Sequence, residues 1–269
     1  MKSKVVLITG ASTGIGKAIG LFLTKRGFTV YGTTRSLEKH EEFRDFPLLK
    51  MEVTDVRSIE KALEVIIQKE GRVDILINNA GVGITGAIEE TPHEEIQKAF
   101  DTNFNGALHV IKAVMPIMRK QKSGLIINIT SIAGYMGLPY RGIYSATKGA
   151  LALVTEALRM EVKNFGVHIT NLAPGDFATN IAAGRYHAPV LKSSPYASSY
   201  ASTLNEINEG VNEGQDPVLV AKKVLKIISA KKPKVHYKVG TFTQRFSLWL
   251  KALLPDKLFE KLLLKHYKL

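Results

Sequence analysis

Lys4-Val5-Val6-Leu7-Ile8-Thr9-Gly10-Ala11-Ser12-Thr13-Gly14-Ile15-Gly16 is the stretch that decides the fold. Residues 4–9 form a short apolar run rich in β-branched side chains, stopped by Gly10, and so predict a buried strand. Over residues 15–23 apolar positions recur at helical spacing. Between strand and helix lie Gly10, Gly14 and Gly16. Glycines in such a turn permit positive φ and let the backbone come close to a phosphate. The helix behind them offers free N–H groups and a partial positive charge to that phosphate. The spacing is G-x-x-x-G-x-G, with a longer first interval than the dinucleotide fingerprint G-x-G-x-x-G. An ordinary tight turn explains these glycines too, so the turn alone does not fix a function.

Outward from this unit the pattern repeats. Strand-like runs recur at 4–9, 29–33, 48–53, 73–78, 124–130, 167–172 and 234–239, with helical patterns between most of them. Such alternation predicts an α/β fold: one doubly wound parallel sheet of about seven strands, with helices on both faces. At 269 residues and 45% hydrophobic content the chain can bury one large core. One Rossmann-type domain over 1–240 is expected, carrying a segment over the site at 176–217 and a helical extension at 241–269. The sequence Thr91-Pro92-His93-Glu94 reads as a capped helix start, and Gly166 as the stop of the helix that begins near Tyr144. In a parallel sheet, ligands bind beyond the carboxyl ends of the strands. Gly10, Asn78, Ser131 and Pro174 all fall at or just after such ends.

A second pattern carries chemistry. Tyr144 and Lys148 are four residues apart, with Ser131 thirteen residues upstream. Positions four apart share a helix face. An ammonium beside a phenol favours the phenolate, and a phenol so placed exchanges a proton with a carbonyl or alcohol oxygen. The hydroxyl of Ser131 could hold that oxygen. Taken alone, the pair also reads as an exposed helix couple. Tyr135 and Tyr140 have no lysine four residues on, and Thr130 is expected to face away from Ser131 by strand alternation.

Taken together, the glycine turn and the Ser131, Tyr144, Lys148 pattern resemble the short-chain dehydrogenase/reductase family. Asn78-Asn79-Ala80-Gly81, Asn103-Phe104-Asn105-Gly106 and Pro174-Gly175 with Thr179 extend the resemblance in the same order, from residue 4 to about 179. The resemblance implies hydride transfer between a nicotinamide and a carbonyl or alcohol, with Tyr144 as acid or base and Ser131 holding the oxygen. It implies that Lys148 polarises Tyr144 and binds the nicotinamide ribose, and that Asn103 helps position a water leading from Lys148 to solvent. Gly10, Ser12, Gly14, Ile15 and Gly16 would bind the dinucleotide turn. Asp55 and Val56 would border the adenine, Asn78, Ala80 and Gly81 the adenosine ribose side, and Thr179 the carboxamide, with Pro174 and Gly175 also binding the cofactor.

The second strand ends Thr33-Thr34-Arg35, with no carboxylate to accept ribose hydroxyls. Arginine suits a 2′-phosphate, and Ser12 could add a hydrogen bond, so NADP(H) is the expected cofactor. Thr13 stands where many NADP-dependent members carry a basic residue.

The tail, residues 241–269, has Phe246, Trp249, Leu250, Leu253 and Leu254 at helical spacing, and then Leu258, Phe259, Leu262 and Leu263. Pro255 should split it into two helices. Six Lys/Arg against two acidic residues make it basic and amphipathic. Three readings stand: an apolar face that covers the substrate pocket or packs on the enzyme core, peripheral contact with an anionic membrane, or contact with a partner protein. The tail resembles those of members acting on steroids, retinoids and other lipophilic molecules, which implies a hydrophobic carbonyl or alcohol substrate. Ketoacyl thioester reduction, or a non-catalytic NADP-sensing role on the same scaffold, is the alternative. Net charge is +13, which suits acidic partners; no nucleic-acid motif is present. Metal ligation is not predicted, since there is no cysteine and the seven histidines lack paired spacing. A homodimer is expected from the family. With no signal-peptide pattern or membrane-length apolar run, the expected location is cytoplasmic, with the tail as the one candidate for membrane association.

Overall fold

Seven parallel strands run in the order β3-β2-β1-β4-β5-β6-β7 in the computed structural model, which describes residues 3–178, 184–212 and 214–269. They are β1 (Val5–Ile8), β2 (Thr29–Thr34), β3 (Leu48–Lys50), β4 (Ile75–Asn78), β5 (Gly124–Ile129), β6 (Val167–Pro174) and β7 (His236–Val239). Side chains alternate across a strand, and here both faces are apolar. Val5 and Leu7 enter one core layer with Leu76, Ile126 and Ile169. Val6 and Ile8 enter the other with Ile75, Ile77 and Ile127.

Helices α2 (Val56–Glu70) and α4 (Gly106–Gln121) cover the first face, through Ile59, Ile66, Val110 and Met118. Helices α1 (Gly14–Thr24) and α7 (Val218–Ile228) cover the second, through Ile19, Leu23, Val220 and Val224. The expected fold class is therefore the observed one. Strand bounds differ at the ends. β6 runs on to Pro174, because pairing with β7 continues to Pro174 and Val239.

Three further helices shape the site. α3 (His93–Phe100) starts one residue later than expected, and Thr91 does not cap it; the Thr91 hydroxyl donates to the Ala87 carbonyl instead. A π-helical turn, Asp101–Asn105, joins α3 to α4 and carries Asn103; such turns favour functional positions. α5 (Gly142–Glu161) carries Tyr144 and Lys148 and is followed by a short turn that ends at left-handed Gly166.

The segment after β6 folds back through α6 (Ala197–Asn212). Its tyrosines act as anchors. Tyr196 donates to Glu89 at 2.6 Å, and Tyr200 to the Thr85 carbonyl at 3.1 Å. Tyr186 joins a two-residue parallel pairing with Ile84.

The tail forms α8 (Phe242–Leu253) and α9 (Asp256–His266), broken at Pro255 as its ring requires. Thr241 and Gln244 make a capping box at the start of α8. Leu248 and Phe259 are buried against Ile132, Met136 and Ala173. An opposite face stays open, with Phe242, Phe246, Trp249 and Leu253 exposed. The tail thus packs on the enzyme with one stripe and leaves a second apolar stripe uncovered.

Candidate active site

Beyond the carboxyl ends of the strands lies an open cavity of about 800 Å³. Its floor is the first turn. Gly10 and Gly14 have φ of +62° and +54°, the left-handed region that glycine adopts without strain. A Cβ on Gly10 would meet the Ala80 backbone at 3.0 Å. Asn79 locks this turn, donating to the Thr9 and Gly10 carbonyls at 3.0 and 2.9 Å. α1 has no acidic residue in its first turn, so its positive end stays uncompensated. Arg35, largely exposed, lines the cavity with Lys39 and His40 beside it, and makes only a loose 3.9 Å pair with Glu52.

At the other end, Ser131, Tyr144 and Lys148 line the same cavity, although they come from the end of β5 and from α5. A close approach packs the turn after β5 onto α5: a Cβ on Gly134 would come within 2.9 Å of the Lys148 backbone. Lys148 is buried and donates to the Ile129 carbonyl at 3.2 Å. Burial lowers its pKa below the ordinary lysine value, and nearby Tyr144 opposes the shift. The Ser131 hydroxyl accepts from the Ala133 N–H at 3.1 Å and points its own proton at the Pro174 carbonyl over 3.5 Å, the limit of a hydrogen bond. That proton is available to a substrate oxygen. Two cationic side chains lie near the Tyr144 ring, with Arg141 Cζ 5.5 Å and Lys148 Nζ 6.0 Å from its centroid. The other nearby phenols are engaged elsewhere: Tyr135 with His236 at 2.9 Å and Tyr140 with Ser199 at 2.6 Å.

Gly10, Ser12, Gly14, Ile15, Arg35, Ala80, Gly81, Pro174 and Gly175 line the cavity with the triad. Gly16 does not; it lets α1 pack on the turn, since its Cβ would come within 2.6 Å of Asn79 Nδ2. Asp55 caps α2 by accepting the Arg57 N–H at 3.0 Å, and Val56 begins that helix. Asn78 turns inward, donating to Asn128 at 3.0 Å. Asn103 is buried and clamps residue 82, accepting the Val82 N–H at 2.7 Å and donating to its carbonyl at 2.9 Å. Its Oδ1 and Lys148 Nζ both press on Gly81, at 3.0 and 3.2 Å from where a Cβ would be. Thr179 lies outside the described residues.

Several lining residues were not singled out by the sequence. Arg141 precedes Tyr144 by one helical turn, a spacing that could have flagged it. Arg185 and Asp176 carry no such local signal. Behind the lining, Gln244 of the tail packs on Gly175 and donates to Asp176 Oδ2 at 2.7 Å. Tyr267, buried near the end of the tail, has its pKa raised by burial, with Arg141 and Asp176 as its charged neighbours.

The sequence pattern of the short chain dehydrogenases matches residues 4–189. A 3-ketodihydrosphingosine reductase of Bacteroides thetaiotaomicron is 39% identical over 97% of this chain and 96% of its own. An NADPH-dependent 3-dehydrocapnine reductase of Ornithobacterium rhinotracheale is 30% identical over 98% of each chain. A crystal structure of a short-chain dehydrogenase from Streptomyces avermitilis superposes with a TM-score of 0.83 at 29% identity, over 100% of this chain and 97% of that one.

Proposed function

The chain belongs to the short-chain dehydrogenase family, and from that premise we propose that it is an NADP(H)-dependent oxidoreductase reducing a ketone on a hydrophobic, lipid-like molecule. The observation that carries this reading is the convergence of Ser131, Tyr144 and Lys148 on the cavity whose far end is the glycine turn and Arg35. The residues fit a phosphorylated dinucleotide: a glycine floor, an uncompensated helix N-terminus and a cationic corner with no carboxylate at the end of β2. The name of the Bacteroides relative supports a ketone as the reduced group, and that of the Ornithobacterium relative supports NADPH.

Bound there, the dinucleotide supplies the hydride. The protein supplies orientation and a proton. Ser131 donates a hydrogen bond to the carbonyl oxygen, and Tyr144 donates the proton that makes it a hydroxyl. Lys148 stabilises the tyrosinate left behind. Its proton relay to solvent starts where Asn103 and Lys148 meet at Gly81.

The test is NADPH oxidation against a panel of long-chain aliphatic ketones, ketosteroids, retinal and ketoacyl thioesters. Long-chain ketones are expected to be turned over, with NADPH favoured over NADH by at least about tenfold. In the same assay Arg35→Ala should erase that preference by lowering kcat/KM for NADPH alone. Equal losses with both cofactors would remove Arg35 from the 2′-phosphate site. Tight NADPH binding with no ketone reduced would favour the sensing role instead.

The uncovered stripe of the tail supports contact with an anionic lipid surface. Phe242, Phe246, Trp249 and Leu253 share one face of α8, with Arg245 in the same row. Lys257, Lys261 and Lys265 repeat every fourth residue along α9, next to exposed Leu258 and Leu262. Among the described residues no helix is long and apolar enough to cross a membrane, so the contact would be peripheral. Trp249, the single tryptophan, is 67% exposed and so reports on it. Its emission should shift to the blue, and the protein should float, with phosphatidylglycerol vesicles but not with phosphatidylcholine alone. Trp249→Glu should lose flotation. Absence of binding to either vesicle would return the stripe to a protein contact. Light scattering on the same samples reads the proposed homodimer, for which exposed Leu153 and Met160, seven residues apart on α5, offer a face.

A further inference from the structure

Two arginines in the substrate half of the cavity have no part in proton transfer. Arg185 packs against Gly83, where an added Cβ would lie 2.7 Å from its Cγ. Only 9% of its surface reaches solvent. Its guanidinium donates to Asn208 Oδ1 over 3.4 Å, a long bond, and among the described residues it forms no ion pair. A guanidinium has five N–H donors. Burying one without an anion is costly, and buried charges are normally paired.

The second arginine adds positive charge, while its own side chain already bonds the Tyr267 hydroxyl. Arg141 lies over Tyr144 and lines the same cavity. Burial lowers the pKa of Arg185, and the charge of Arg141 adds to the effect. Tyr144, Asp176 and Tyr200 are its other electrostatic neighbours. Asp176 is the one carboxylate among them, and it already accepts from Gln244 at 2.7 Å. The cationic corner made by Arg35 and Lys39 is at the glycine-turn end and is not among these neighbours, so the two cationic ends are separate.

We propose that Arg185, assisted by Arg141, binds an oxyanion carried by the substrate itself, a sulfonate, phosphate or carboxylate close to the carbonyl that Tyr144 protonates. This rests on the reductase reading of the site. A planar fork takes such an oxyanion through two parallel charge-assisted bonds. Held there, the anionic group fixes the distance between its own atoms and the carbonyl, so Arg185 is a specificity-determining and positioning residue rather than a catalytic one.

Two probe ketones test it: a long-chain β-keto sulfonate and the matching β-keto methyl sulfone, alike in shape and differing in charge. The intact protein is expected to reduce the sulfonate with a kcat/KM at least about tenfold above that of the sulfone. Arg185→Gln should bring that ratio to about one, mainly through KM, while the sulfone rate and the Kd for NADPH stay within about threefold. Arg185→Lys, which keeps the charge but not the fork, should retain part of the preference. A preference for the sulfone, an equal loss for both ketones, or a matching loss of NADPH affinity would overturn the proposal; the last two would make Arg185 a structural clamp or a cofactor ligand. If neither ketone is reduced, the reductase reading is what fails. Calorimetric titration of the sulfonate into the NADP-loaded protein then decides the anion site. A Kd raised at least about tenfold in Arg185→Gln supports it, and no sulfonate binding, or an unchanged Kd, overturns it.

Discussion

Replacing Tyr144 with phenylalanine is expected to lower the kcat of the proposed NADPH-dependent ketone reduction by about a thousandfold and to leave the Kd for NADPH within about threefold of the parent value. The size follows from the loss of a positioned general acid, typically a factor of about 10²–10⁴. The substitution is clean because the ring, with Arg141 and Lys148 near it, is kept and a single oxygen is removed. Rescue by a neighbouring phenol is blocked: Tyr135 is bonded to His236, and Tyr140 to Ser199. Ser131 keeps its place, since Ala133 and Pro174 hold its hydroxyl independently of Tyr144. Single-turnover measurement with cofactor prebound separates the chemical step from binding, and NADPH fluorescence gives the Kd. More than a tenth of the parental rate in the variant would show that another group supplies the proton.

What could be read in the sequence was what repeats locally. The β-branched runs around Ile8 and Ile77 announced buried parallel strands, and the two-residue alternation put Val6 and Leu7 in opposite core layers. The four-residue spacing of Tyr144 and Lys148 announced a shared helix face. What stayed hidden depends on contacts between distant segments. Asn78 and Asn79 are adjacent and chemically identical. Only the fold shows that Asn78 reaches inward to Asn128 while Asn79 clamps the glycine turn. Arg141 and Arg185 are 44 positions apart and come to line one cavity because the start of α5 and the segment before α6 both border it. The tail is apolar on more than one face. Its partner, the short turn Ile132–Tyr135, decides which stripe is buried, and nothing within the tail specifies that choice.

Lys148→Met is expected to inactivate the enzyme and, at the same time, to stabilise the cofactor-free protein. The catalytic loss, about a hundredfold or more, follows from removing the cation that favours the Tyr144 anion. The gain follows from burial. Lys148 is sealed from solvent, has the Ile129 carbonyl at 3.2 Å as its hydrogen-bond acceptor, and has no carboxylate partner among the described residues. Exchanging buried charges for apolar side chains of similar volume often stabilises by about 1–4 kcal/mol, which is several degrees in Tm for a chain of this size. The sign of the pH dependence is fixed by the direction of the shift. Burial lowers the pKa of Lys148 in the folded state below its ordinary value of 10.5. Between those two values the unfolded chain binds the extra proton, so the parent protein gains stability as pH rises through that window. Below it the burial penalty is complete, and above 10.5 it has vanished. The advantage of Lys148→Met is therefore greatest below that window and disappears above 10.5. Thermal melts of the two proteins from neutral pH to pH about 11 measure the difference. Adding NADP should reverse the order, because in the proposed site Lys148 would hold the ribose hydroxyls and methionine could not. A variant less stable than the parent at every pH without cofactor would show that the ammonium is fully compensated inside the fold and is not held there at a cost for the sake of the reaction.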